Sequence, residues 1–258
     1  MENMNNGNQS VHKVLRVIEA LSTCPEPVRL KDLAAMVGYP ESSTLRLLKT
    51  LLANGYVSQN EETQKYALTF KIVQIGSRVQ SHFSLSELVR PYLQRLSMDC
   101  AESVCLAIEE KGEVVYIDKQ DGPDKQLQIL HYIGKRAPMY CTGMGKNLLM
   151  NYSEEEIRKR FAGQVFQKFT HNTVNSVEEL IQRVNTAKER GYALDDEECE
   201  LGVRCIAAPI YDFSGKVVAS ISISGPTSRI YGERQEEIKN ILCKNAEEIS
   251  GWLRYEHR

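Results

Sequence analysis

Residues 41–53, ESSTLRLLKTLLA, form the first group whose side chains have chemistry to offer. At 100° per residue, Thr44, Leu47, Leu48, Leu51 and Leu52 fall on one side of a helix. Ser42, Arg46, Lys49, Thr50 and Ala53 fall on the other, with Ser43 at the border. The polar stripe carries two cations and several short hydroxyls, and no acid after Glu41. A solvated helix face normally mixes both signs; this one can lie against phosphates and base edges. A second group opens at Cys141-Thr142-Gly143-Met144-Gly145-Lys146. Small residues there leave backbone N–H groups open, and a helix N-terminus favours an anion. An ordinary glycine-rich helix start accounts for the same residues. Ser222 and Ser224, two apart on a strand, point to one face and suit either a polar ligand or local hydrogen bonds. Cys141, Cys199 and Cys205 are candidate nucleophiles, with His131 and His171 as candidate bases. Spacing alone does not bring a base or an orienting group within reach of them.

The elements that must position these groups can be read from pattern. A helix from Ser10 carries Val11, Val14, Leu15, Ile18 and Leu21 at helical spacing and stops at Cys24-Pro25-Glu26-Pro27. A short helix with Leu33, Ala34 and Val37 inward ends at Gly38, and the 41–53 helix ends at Asn54-Gly55. Tyr56–Gln59 and Lys65–Leu68 read as strands around the polar turn Asn60–Gln64. Two helices about a tight turn, followed by a hairpin, describe a winged helix-turn-helix. Residues 69–83 read as a connecting helix, and Ser84 with Glu87 opens the next in capping-box spacing. Strands are expected at Val104–Ile108, Val114–Asp118, Leu127–Tyr132, Tyr192–Leu194, Val203–Tyr211 and Lys216–Ser224. Helices open near Gly143, at Ser153 and at Ser176, and a last one runs over Gly232–Tyr255. Strand pairs separated by helices point to an α+β fold with an antiparallel sheet.

Composition bounds the function. The 258 residues are 42% hydrophobic and 26% charged, with a formal net charge of −2. Residues 1–80 hold 9 Lys and Arg against 7 Asp and Glu, and residues 81–258 hold 23 against 27, so an acidic part masks a mildly basic one. The near-neutral total therefore does not exclude nucleic acid. No run reaches the roughly 18–20 apolar residues of a membrane span. The polar, Asn-rich N-terminus has no apolar signal core. Seven cysteines at irregular spacing make neither a disulfide framework nor a zinc knuckle. A reduced, cytoplasmic protein without cofactor or metal is expected.

Residues 38–57, GYPESSTLRLLKTLLANGYV, and 66–76, YALTFKIVQIG, resemble the DNA-binding half of the isocitrate lyase regulator (IclR) family. Residues 191–226, GYALDDEECELGVRCIAAPIYDFSGKVVASISISGP, resemble that family's effector-domain signature, and CTGMGKNLL (141–149) its effector loop and following helix. The resemblance covers residues 10 to about 250. It implies a lead (1–9), a winged helix-turn-helix (10–72), a linker helix (73–86) and a GAF-like effector domain (87–258) whose antiparallel sheet is flanked by helices. It implies a homodimer or a dimer of dimers that binds palindromic operator DNA through Ser42, Ser43, Thr44, Arg46, Lys49 and Thr50, with Lys65 on the wing touching phosphate. It also implies control by a small organic acid held by the amides of Gly143 and Met144 and by Asp195, Cys205, Ser222 and Ser224. Two positions depart from the family. Glu41 stands where Lys or Arg is common, and it either caps the helix or accepts from a cytosine. Leu45 stands where the family often has a polar or aromatic residue. A repressor of a catabolic operon is the expected function. The alternatives are a thiol sensor using Cys199 and Cys205, and an enzyme acting on a small carboxylate.

Overall fold

The structure is a computed structural model that describes residues 9–82, 84–123 and 132–254. The chain divides into two compact units, 1–84 and 85–258. In the first, α1 (Gln9–Ser22), α2 (Leu30–Val37) and α3 (Glu41–Ala53) precede the antiparallel hairpin β1 (Val57–Gln59) and β2 (Tyr66–Leu68), and α4 (Lys71–His82) follows. The core gathers Val17 and Leu21 of α1, Leu33 and Val37 of α2, Leu47, Leu48 and Leu51 of α3, and Val57 and Tyr66 of the hairpin. α2 stops because Gly38 takes a left-handed conformation (φ 71°) that an L side chain resists. The start of α4 is tied to this unit. Thr69 Oγ1 donates to the Gly55 carbonyl (2.6 Å), and Lys71 Nζ donates to that of Asn54 (2.6 Å). Residues 73–82 of the expected linker therefore continue a helix that begins on the winged domain.

The second unit runs α5 (Leu85–Cys100), β3 (Ser103–Glu110), β4 (Glu113–Gln120), β5 (Arg136–Pro138), α6 (Gly143–Leu148), α7 (Glu154–Arg160), α8 (Val177–Arg190), β6 (Ala193–Asp196), β7 (Val203–Tyr211), β8 (Val217–Pro226) and α9 (Gly232–Arg254). Its six strands among the described residues form one sheet in the order β5-β4-β3-β8-β7-β6, each neighbouring pair antiparallel. Period-two alternation divides each strand between two cores. Val104 and Leu106, Ile206 and Ala208, and Ile221 and Ile223 pack with α5 and α9, while Cys105, Ala107, Cys205 and Ala207 pack with α6, α7 and α8. The caps expected at Ser153 and Ser176 are present, each accepting from the backbone N–H of the Glu three residues on. One strand goes beyond those expected, and one expected strand is not tested. The edge strand β5 lies at 136–138, and the strand expected over 127–132 falls mostly outside the described residues.

Candidate nucleic-acid interface and ligand recess

On α3 the two faces separate as helical geometry requires. Leu47, Leu48 and Leu51 are buried, whereas Ser42, Arg46, Lys49, Thr50 and Ala53 are exposed and Ser43 is half-buried. Thr44 is a correction. It is fully buried on the leucine side of α3, and its hydroxyl donates to the Pro40 carbonyl (3.1 Å), so it is not placed to make the DNA contact that the resemblance implied. The Thr50 hydroxyl bonds back to Arg46 O (3.2 Å), leaving its methyl and the Arg46 and Lys49 head groups outermost. Glu41 is exposed in the first turn, where a carboxylate complements the helix dipole. The wing turn is held by Asn60 Oδ1, which accepts from the amides of Glu62 (3.1 Å) and Thr63 (2.8 Å). Lys65 sits half-buried at the base of β2.

In the second unit the carboxyl end of β6 and the N-terminal end of α6 enclose a recess of about 40 Å³. Asp195, Cys205 and Ser224 line it from three neighbouring strands, where Asp195 pairs with Cys205 and Cys205 with Ser224. Thr142 and Met144 line it from α6, Tyr116 from β4, and Cys199 and Glu200 from the β6–β7 connection. Lys135 closes another side. Burial pushes the Asp195 carboxyl up to about 7, a neighbouring Glu198 adds to the rise, and Lys146 opposes it. The backbone amides of Glu198 (2.8 Å) and Cys199 (3.3 Å) donate to Asp195 Oδ1 and fix its orientation. Burial likewise pushes the Cys205 thiol up to about 12, so it stays protonated and behaves as a small packing group.

Behind the recess lies a buried ion pair that sequence reading missed. Lys146 Nζ bonds Glu198 Oε1 and also donates to the Leu194 carbonyl (2.8 Å), and Arg183 reaches the same carboxylate oxygen (3.3 Å). Lys146 and Glu198 are 1% and 0% exposed, so neither charge is shared with water. β8 presents Ser220, Ser222 and Ser224 to the α6 side. Ser220 Oγ is locked by Asn147 Nδ2 (2.9 Å) and Ala208 O (3.1 Å), while Ser222 Oγ is buried with no partner among the described residues.

Two family models match the chain. The "IclR helix-turn-helix domain" matches residues 10–61, and the "Bacterial transcriptional regulator IclR C-terminal" matches residues 77–251. The chain belongs to the IclR family. Its members include the transcriptional regulator KdgR of Escherichia coli, 34% identical over 246 residues, covering 95% of this chain and 93% of KdgR. The E. coli transcriptional repressor IclR is 34% identical over 250 residues, covering 94% and 89%. The crystal structure of Thermotoga maritima IclR superposes with a TM-score of 0.63 at 28% identity, covering 96% and 99%. The relatives are DNA-binding transcriptional regulators, and so is the class to which this IclR-family chain belongs.

Seen as an IclR-family sensor unit, the chain brings four of the six expected effector contacts to one recess: Met144, Asp195, Cys205 and Ser224. Ser222 lies one step deeper on the same strand face. Gly143 is packed against β7, where a Cβ would sit 3.2 Å from that of Ala207. Tyr116, Lys135, Thr142 and Glu200 were not singled out. Tyr116 carried a usable signal, since it alternates with Val115 and Ile117 along β4 and so faces the α6 side. His171 is exposed and pairs with none of the candidate thiols among the described residues, and His131 lies outside them. No described helix is long and apolar enough to cross a membrane.

Proposed function

We propose that this IclR-family regulator is a repressor of a catabolic operon that binds a palindromic operator as a dimer or a dimer of dimers, inserting α3 into the major groove. The observation that carries this reading is the exposed α3 stripe. Arg46 and Lys49 stand beside Ser42 and Thr50 with no acidic side chain past the first turn, above a face fully committed to the core. Arg46 is placed to reach a base edge, and Lys49 and Lys65 to reach phosphates. The exposed apolar side chains Val11 and Leu15 on α1 and Val73 on α4, with Phe70 just before it, support self-association through this unit.

Binding of an operator selected from a randomised duplex pool by the full chain tests the proposal. Arg46→Ala should weaken it by about 1–3 kcal/mol, roughly fivefold to 150-fold. Lys49→Ala should weaken all sequences alike and lower the salt slope by about 1. Failure to select any duplex, or binding indifferent to both substitutions, counts against it.

The recess supports control by a small organic acid. Lys135 supplies a cation, Tyr116, Thr142 and Ser224 supply hydroxyls, and the family's glycine-rich loop supplies the amides of Gly143 and Met144. At about 40 Å³ the recess holds little more than a water or two, so an effector must move its walls apart. With a carboxyl at about 7, Asp195 is largely neutral below that pH and can donate to the acid, and above it is charged and repels one. Lys146, Glu198, Tyr116 and the thiols of Cys141, Cys199 and Cys205 are titratable groups around it, and Lys135 and Glu200 stand on the same recess wall. Stabilisation by a panel of small organic acids should therefore be larger at pH 6 than at pH 8, and Asp195→Asn should flatten the difference. A hit with the opposite pH trend would overturn the assignment of Asp195.

A further inference from the structure

The five leucines of α3 divide into two kinds. Leu47, Leu48 and Leu51 are buried in the core of the winged unit, and Leu52 packs against that core. Leu45 is half-buried and belongs to none of the hydrophobic clusters among the described residues. At 100° per residue it stands roughly 40° around the helix from Glu41 and from Lys49, and roughly 60° from Ser42. Those three, at i−4, i+4 and i−3, are its neighbours on the helix surface, and all are exposed. A helical side chain leans toward the N-terminus, so Leu45 covers the first turn of α3 beside Glu41 and Ser42. A single leucine half open to water is ordinary on a protein surface. This one stands at the end of the helix whose first residues reach base edges when such a helix enters the major groove.

The chemistry of this edge limits what it can meet. Glu41 is exposed and makes no ion pair or side-chain hydrogen bond among the described residues, so its carboxylate repels any phosphate brought near it. The Glu41–Leu45 edge therefore turns to the groove floor rather than to the DNA backbone. Leu45 has no donor or acceptor, so only an apolar group can be its partner there. Among the groups that base pairs present in the major groove, the C5-methyl of thymine is the apolar one. We propose that Leu45 reads thymine: with α3 in the groove, its side chain covers the C5-methyl of one thymine while Arg46 and Lys49 engage a base edge and a phosphate. The contact presupposes the DNA-binding function proposed for α3 and adds a specificity-determining residue to it. Thr50 is the rival on the same helix, because its hydroxyl is turned back to Arg46 O and its methyl is left outward. It stands roughly 140° from Leu45, on the opposite edge and more than a turn farther from the N-terminus.

Binding of the full chain to a duplex selected from a randomised pool reads the contact. Each thymine of that duplex is replaced in turn by deoxyuridine, which removes only the C5-methyl. At one or more thymines the unsubstituted chain should bind about fourfold less tightly per methyl removed, the effect of exposing one buried carbon group. Leu45→Ala should bind the thymine and deoxyuridine duplexes alike, with an unchanged salt slope because no phosphate contact is lost. Its melting temperature should match that of the unsubstituted chain, since Leu45 lies outside the core. Thr50→Ser should keep the whole methyl effect. Selection repeated with Leu45→Gln, whose amide pairs with adenine, should replace thymine at that position and leave the other selected bases unchanged. Sensitivity at no thymine, sensitivity that survives Leu45→Ala or is lost in Thr50→Ser, or the same thymine returned with Leu45→Gln, would overturn the assignment of Leu45 and leave the DNA-binding function standing. Selection of no duplex by the unsubstituted chain would overturn both.

Discussion

Lys146→Ala should cost the sensor unit on the order of 3–5 kcal/mol, enough to unfold much of it at ordinary temperatures. The side chain is 1% exposed, and it is the fully buried partner of Glu198, which is itself 0% exposed. Removing the ammonium strands a carboxylate whose second oxygen, Oε2, already has no hydrogen-bond partner among the described residues. Arg183 reaches the carboxylate from the rim at 3.3 Å, but its side chain is 42% exposed, so its pull is screened by water. Burial already raises the Glu198 carboxyl, with Lys146 the first counterweight, and losing Lys146 raises it further. The pair itself need not be strongly stabilising. Lys146→Met combined with Glu198→Leu removes both charges and should recover most of the loss. Urea unfolding followed by far-ultraviolet circular dichroism measures both variants, with the two units treated as separate transitions. A Lys146→Ala loss below about 1 kcal/mol would show that water or a rearranged side chain reaches the site.

Gly145→Ala is expected to be almost as damaging, for a steric reason. A Cβ there would lie 2.7 Å from the Met139 carbonyl carbon and closer still to its Cα and oxygen, all backbone atoms that cannot rotate away. Replacing glycine by alanine inside a helix ordinarily gains about 1 kcal/mol. Forcing apart packed backbone costs more, about 3 kcal/mol or beyond, so the collision decides the sign. For a unit of this size that corresponds to a melting temperature lower by roughly 6–12 °C. Gly143→Ala is the internal comparison, because its nearest neighbour is the Ala207 side chain at 3.2 Å, which a small shift accommodates. Equal melting temperatures for the two variants would mean that the α6 N-terminus is free to move off Met139.

Both sites illustrate how far pattern reading reaches. The α3 stripe was legible because a helix places residues at fixed angles. Arg46, Lys49 and Thr50 are exposed while Leu47, Leu48 and Leu51 are buried, whatever the rest of the chain does. The same angles already set Thr44 inward, and the structure shows that its hydroxyl is consumed by Pro40. Gly38 and Gly191 end α2 and α8, and Gly215 sits in the β7–β8 turn, each with a positive φ that glycine adopts readily. Ser222 and Ser224 share a face because strand period is two.

What sequence pattern could not reach are the contacts made between distant segments. Lys146 reads as one more polar residue in a glycine-rich turn, and only the docking of α6 against the β6–β7 connection turns it into the buried partner of Glu198. Met144 and Cys199 lie 55 positions apart, yet both line one recess because α6 and the β6–β7 connection converge there. The family, the order of the elements, the facing of the α3 stripe and the division of charge between a mildly basic first part and an acidic second part were all legible in the residues alone. The tertiary structure decided which polar groups are desolvated and with what partner. That division has one cause: periodicity and turn chemistry act through the nearest few residues, whereas desolvation and pairing are set by whichever remote segment the packed chain brings alongside.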